Sequence, residues 1–102
     1  MTAFVISDVV GLNPDLLTRY RTLAKESIAL YGGRYLTNAG NTIDHVEGDW
    51  TPQNIVVLQF PSMQRAREWY RSPEYGEALV VRRTALRRNL VFVAGIDEPP
   101  EE

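Results

Sequence analysis

Apolar residues crowd positions 3 to 10, AFVISDVV, and Gly11 follows at once. β-Branched and aromatic side chains bounded by a turn former predict a first strand. The period then changes. Asn13, Pro14 and Asp15 supply a capping oxygen, a proline suited to the first helical position and an acid at the positive end of the dipole. Beyond them Leu16, Tyr20, Leu23, Ala24, Ile28 and Tyr31 recur at three- and four-residue spacing, one stripe on a helix of roughly five turns. RYLTNAG and TIDHVEG read as strand segments joined at Gly40-Asn41 by a turn or bulge, and NIVVLQF, 54–60, as a central strand closed by Pro61. Ser62 opens a short helix carrying Met63, Ala66 and Tyr70, with Trp69 beside them. Ser72-Pro73-Glu74 opens a second with Tyr75, Ala78, Leu79, Ala85 and Leu86 on its stripe. NLVFVAG, 89–95, is the last strand.

The resulting order, β-α-β-β-α-β, predicts an α+β, ferredoxin-like fold: a four-stranded antiparallel sheet with helices on one face. A sheet covered on one side only should alternate apolar and polar residues. Here both sides are apolar. Phe4, Ile6 and Val10 oppose Val5 and Val9; Ile55 and Val57 oppose Val56, Leu58 and Phe60; Leu90 and Phe92 oppose Val91 and Val93. The uncovered face exceeds what a soluble monomer usually exposes, which predicts a homodimer packed through the open sheet face.

The stretch YGGRYL, 31–36, bears on nucleotide chemistry. A phosphate-binding loop runs from strand through glycines into a helix N-terminus, whereas here the helix comes first. Gly32 therefore reads as a helix stop, at a position where left-handed backbone suits glycine.

Composition narrows the picture further. A chain of 102 residues, 44% hydrophobic and 24% charged, suits one domain, assigned to 1–96, with an acidic, proline-broken, frayed tail at 97–102. With no cysteine, disulfides and thiolate chemistry are excluded and a reducing compartment is expected. The opening residues show no basic leader, and no apolar run reaches the roughly 20 residues of a membrane span, so a cytoplasmic protein without a membrane partner is expected. A net charge of -2 argues against a nucleic-acid partner, and Arg82, Arg83, Arg87 and Arg88 read as a solvated helix face.

Several stretches resemble one small bacterial family. YGGRYL, VEGDW (46–50), LQFPS (58–62), AREWYRSPEY (66–75) and the arginine pair 82–83 are similar to domain of unknown function 1330, over nearly the whole chain. The resemblance implies a dimeric α/β barrel, two ferredoxin-like sheets packed face to face. The wider superfamily includes cofactor-independent monooxygenases, muconolactone isomerase-like enzymes and haem-binding proteins, so the fold by itself assigns no chemistry.

Candidate chemistry centres on Arg82, which the helical spacing from Tyr75, Ala78 and Leu79 places on an apolar stripe. A cation there needs a carboxylate or a ligand anion, unless its stem packs and its head reaches water. Glu47 is the preferred partner, with Asp8 and Asp44 as rivals. Tyr20 also lies within a stripe and its hydroxyl needs a partner, or it simply packs in the core. Trp50, Trp69, Tyr70 and Tyr75 could wall a pocket around these groups. His45, the single histidine, falls with Ile43 and Glu47 on one side of the expected strand, where a His-carboxylate pair could move a proton. One histidine and no cysteine offer no recognisable metal site, and no cofactor is expected. Two readings follow. One is a homodimeric domain binding a small anionic or aromatic molecule, with Arg82 and Arg34 on its acid group. The other is a cofactor-independent monooxygenase or isomerase in which Glu47 or His45 moves the proton and Arg82 stabilises an enolate-like anion.

Overall fold

The computed structural model describes residues 2–97. Its elements are β1 (Ala3–Gly11), α1 (Pro14–Leu30), β2 (Arg34–Thr37), β3 (Ile55–Phe60), α2 (Met63–Arg71), α3 (Pro73–Ala85) and β4 (Leu86–Ala94). The strands form one antiparallel sheet in the order β2-β3-β1-β4, the ferredoxin-like arrangement, with the helices on one face. None of the described helices is long and apolar enough to cross a membrane.

Local chemistry sets the boundaries. Asn13 Oδ1 accepts from the Leu16 amide at 3.1 Å and starts α1. At the other end Gly33 N donates to Ile28 O and Gly32 N to Ala29 O, the paired reverse bonds of a Schellman motif, with Gly32 at φ 79°. The two glycines are a helix stop, as their order in the sequence predicts. Ser72 serves two helices at once. Its hydroxyl donates to Trp69 O at the end of α2 and accepts from the Tyr75 amide at the start of α3.

Two segments depart from the sequence reading. TIDHVEG is irregular, not a strand. Thr37 explains why: its hydroxyl donates to Ile55 O and accepts from Val57 N, both at 3.0 Å, so a side chain replaces the backbone ladder and β2 ends in a register shift. The chain then leaves the sheet, and the alternation that placed His45 beside Glu47 has no strand to act on. The second departure is at the end of α3. Leu86, Arg87 and Arg88 belong to β4, because the nine-residue β1 continues far enough to pair Gly11 with Leu86 and Val9 with Arg88. The four arginines therefore form no common helix face. Arg82 and Arg83 end α3, Arg87 takes the open sheet face, and Arg88 turns to the helices.

The core lies between helices and sheet, where Phe60, Trp69 and Tyr75 stack with centroids 5.2 and 4.1 Å apart. Trp69 Nε1 donates to the buried Ser27 hydroxyl at 3.0 Å, so the indole brings no unsatisfied donor into the core. The opposite face is open. Phe4, Ile6, Val10, Ile55 and Val57 are half-buried there, and Val91 and Val93 are exposed. Asp97 lies next to the start of β1, its carboxylate accepting from Thr2 N and Thr2 Oγ1 at 3.0 Å each. The rest of the expected acidic tail lies outside the described residues.

Candidate functional site

Helix α1 leans chiefly on α3, while α2 takes the contacts with β1, β3 and β4. Beneath α1 this leaves a cavity of about 590 Å³ over the inner sheet face. Val5, Val9, Leu58 and Leu90 of the sheet and Leu17 and Ile28 of α1 make it largely apolar.

Its polar end is built by Arg88. Strand alternation puts Leu86, Arg88, Leu90 and Phe92 on the inner face, so the arginine interrupts an otherwise apolar row. The guanidinium is forked: Nη1 donates to the Tyr20 hydroxyl at 2.7 Å and Nη2 to the Tyr75 hydroxyl at 2.8 Å. The phenols are 2.6 Å apart and bonded to each other. Arg88 also lies 5.7 Å from the centre of the Tyr20 ring, within cation-π range.

The proton balance of this cluster is informative. Tyr75 is fully buried and has no other acceptor among the described residues, which favours its proton going to Tyr20. Tyr20, which lines the cavity, is left with its own proton to donate. Burial, reinforced by Tyr20, pushes the Tyr75 phenol well above its ordinary value and keeps it neutral at physiological pH. A guanidinium has five N–H donors, and Arg88 spends two of them on these hydroxyls. Among the described residues no carboxylate lines the cavity. Ser7 adds a third polar group. It is only 6% exposed, faces the cavity from β1, and its hydroxyl bonds to no described residue. Arg88, Tyr20 and Ser7 thus present donors, with no carboxylate among the described lining residues to receive them.

Among the residues singled out from sequence, Tyr20, Tyr75 and Trp69 come together here; the first and last line the cavity and Tyr75 backs it. Tyr70 packs on Tyr75 and Phe92 outside the lining. Arg34 lies on the opposite sheet face, its Nε donating to Gln59 Oε1 at 2.8 Å. Trp50 is 63% exposed and donates to Asp8, also on that face. Asp8 is held below the usual carboxylate range: its modest burial would raise it, but the Gln53 and Asn54 amides and Trp50 outweigh that. Glu47 and His45 are exposed on the segment between β2 and β3, and no ion pair joins Glu47 to the half-buried Arg82 among the described residues. Arg88, Ser7 and Tyr35 were not singled out from the sequence. The signal for the first two was a lone polar residue in an apolar period-two row: Ser7 among Ala3, Val5 and Val9, and Arg88 among Leu86, Leu90 and Phe92.

Comparison with known proteins agrees with this architecture. The family model described as Domain of unknown function (DUF1330) matches residues 2–96. The chain belongs to this family. No curated protein matches it. Among solved structures, a protein of unknown function from Rhodopseudomonas palustris is 17% identical with a TM-score of 0.72, covering 94% of this chain and 83% of that one. A dimeric ferredoxin-like protein of unknown function from Thermobifida fusca is 18% identical, TM-score 0.62, covering 92% and 91%. A putative antibiotic biosynthesis monooxygenase from Nitrosomonas europaea is 11% identical, TM-score 0.55, covering 94% and 91%. At these identities the likeness is one of fold.

Proposed function

We propose that this DUF1330 protein is a homodimer that binds a small organic acid beneath α1, seating the carboxylate on Arg88 with Tyr20 and Ser7 as further donors. The observation that carries this reading is the Arg88 guanidinium, turned into a mostly apolar cavity and bonded only to phenols. Arg88 is half-buried with no carboxylate bonded to it among the described residues, and a ligand carboxylate would give it a forked, charge-assisted contact. The apolar walls suit the hydrocarbon body of such an acid. Binding is favoured over catalysis by the placement of the proposed bases, since Glu47 and His45 lie outside the lining and no other carboxylate or imidazole enters it among the described residues.

The dimer is supported by the open sheet face, whose central row Val57, Ile6 and Val91 is apolar across three strands. The T. fusca neighbour is itself described as dimeric.

Calorimetric titration of the parent and Arg88→Met with hexanoate and benzoate tests the site. Saturable binding by the parent that the variant loses is expected. Equal binding by both proteins, or none by the parent, would overturn the assignment.

A further inference from the structure

Two more cations line the same cavity. Arg21 and Lys25 sit four residues apart on α1, both line the cavity, and both are exposed. Like charges at this spacing repel. Neither residue has an ion pair or hydrogen bond with any described residue. Glu26, beside Lys25 in the chain, is not among the lining residues. The lining thus holds one half-buried cation, Arg88, and two exposed ones, together with apolar groups such as Val5, Leu58 and Ile28.

We infer that the ligand is a dianion, an organic diacid whose first carboxylate sits on Arg88 and whose second lies between Arg21 and Lys25. The inference rests on the carboxylate reading of Arg88 given above and extends it from one acid group to two. A single acid leaves the Arg21-Lys25 repulsion in place, whereas a second carboxylate bridges both side chains and relieves it. Tyr35 of β2 also lines the cavity. Burial foremost, with Tyr20, pushes its phenol up to about 12, and Arg21 and Arg88 both pull it the other way, so one residue of the wall feels both cationic groups.

The two cationic groups differ in exposure, and this separates them experimentally. Exposed charges are screened by salt, and the half-buried Arg88 contact is screened less. Matched acids serve as probes: hexanoate against hexanedioate, and benzoate against benzene-1,3-dicarboxylate. They are titrated into the parent and into the double variant Arg21→Gln, Lys25→Gln, whose exposed positions leave the fold intact. In low salt the parent should prefer at least one diacid over its monoacid by roughly two- to tenfold, the size expected of exposed charge contacts. That preference should shrink in about 0.5 M salt. The double variant should bind diacid and monoacid alike, at the parent's monoacid affinity. Parity of all pairs in the parent, or a preference that survives the double substitution, would overturn the second subsite while leaving the Arg88 site standing. Absence of binding by all four acids would overturn both.

Discussion

Arg88 of β4 and Tyr20 of α1 meet across the two layers of the fold, Nη1 to the phenol oxygen at 2.7 Å, and Tyr75 of α3 closes the triangle. Because the fork is planar, the arrangement needs guanidinium geometry as well as positive charge. Arg88→Lys keeps the charge but replaces the fork by a compact, strongly hydrated ammonium. The variant should lose about 1 to 2 kcal/mol of folding stability and roughly tenfold in monoacid affinity. Urea unfolding and calorimetric titration measure the two effects. A variant matching the parent in both would show that the fork is dispensable.

Ser7 should show the opposite balance. Its hydroxyl faces the cavity and bonds to no described residue, so the fold does not depend on it. Ser7→Ala should leave the free protein as stable as the parent or more stable by up to about 1 kcal/mol, while weakening acid binding. Loss of stability without loss of affinity would assign the hydroxyl a structural role.

The ferredoxin-like order, the caps at Asn13, Ser62 and Ser72 and the stop at Gly32 were legible because each rests on chemistry within a few residues of itself. The site was less so. Arg82 held a helical apolar stripe and drew attention, while Arg88 stands only two residues before the apolar run LVFV and reads as helix. What turned it inward was the length of β1, whose pairing of Gly11 with Leu86 and Val9 with Arg88 is a long-range fact. The strand expected at TIDHVEG failed for a similar reason: alternation can be read locally, but a pairing partner cannot, and Thr37 had already closed the ladder. Tyr20 and Tyr75 read as stripe residues, Tyr20 with a hydroxyl needing a partner and Tyr75 as a pocket wall. That the partner was Arg88 emerged only with the sheet register.

Alkaline pH should expose the buried phenol. The Tyr75 pKa is raised by burial in the folded protein, while the unfolded chain titrates near the ordinary value of 10.0. Above that value the unfolded state loses a proton that the folded state keeps, so unfolding becomes easier as pH rises. The stabilisation is complete below pH 10.0 and is lost progressively above it. Tyr35, raised to about 12, acts in the same direction. Urea midpoints followed from neutral to strongly alkaline pH should fall beyond this point for the parent and less steeply for Tyr75→Phe. At neutral pH that variant should cost about 1 to 2 kcal/mol, since Arg88 loses an acceptor. Parallel pH profiles for the two proteins would count against a buried phenol at 75.

The paired glycines make different demands. A Cβ at Gly33 would lie 2.6 and 2.7 Å from ring carbons of the buried Phe60 and 2.8 Å from Ile28 Cγ2, whereas at Gly32 it would meet only Pro61 side-chain carbons at 3.2 and 3.5 Å. The cost at Gly32 is backbone strain at φ 79°. Gly32→Ala should cost about 1 kcal/mol, and Gly33→Ala about 2 to 3 kcal/mol because the core ring must move. Thermal unfolding of the two variants ranks them, and a reversed order would contradict the packing of Phe60 against this turn.

The open sheet face gives the last prediction, and its design separates association from folding. Val57 lies on β3 between Thr37 of β2 and Ile6 of β1, at the middle of the uncovered surface. Val56 and Leu58 beside it face the cavity instead. A lysine at 57 therefore projects away from the core and the site, and its charge matters only if a second sheet covers it. In a face-to-face homodimer the two-fold brings the same surface from each subunit together, so every substitution is introduced twice and two unpaired cations enter an apolar interface. Val57→Lys should raise the dimer dissociation constant by at least about a hundredfold, a penalty of roughly 3 kcal/mol. Sedimentation at micromolar concentration should then show a species of 11.6 kDa where the parent shows twice that mass. Val91→Lys, one strand further along the same row beyond Ile6, should do likewise, because it occupies the same surface from β4. A parent that sediments as a monomer, or lysine variants that remain dimeric, would remove the face-to-face dimer, while the Arg88 cavity, which lies on the other side of the sheet, would be unaffected.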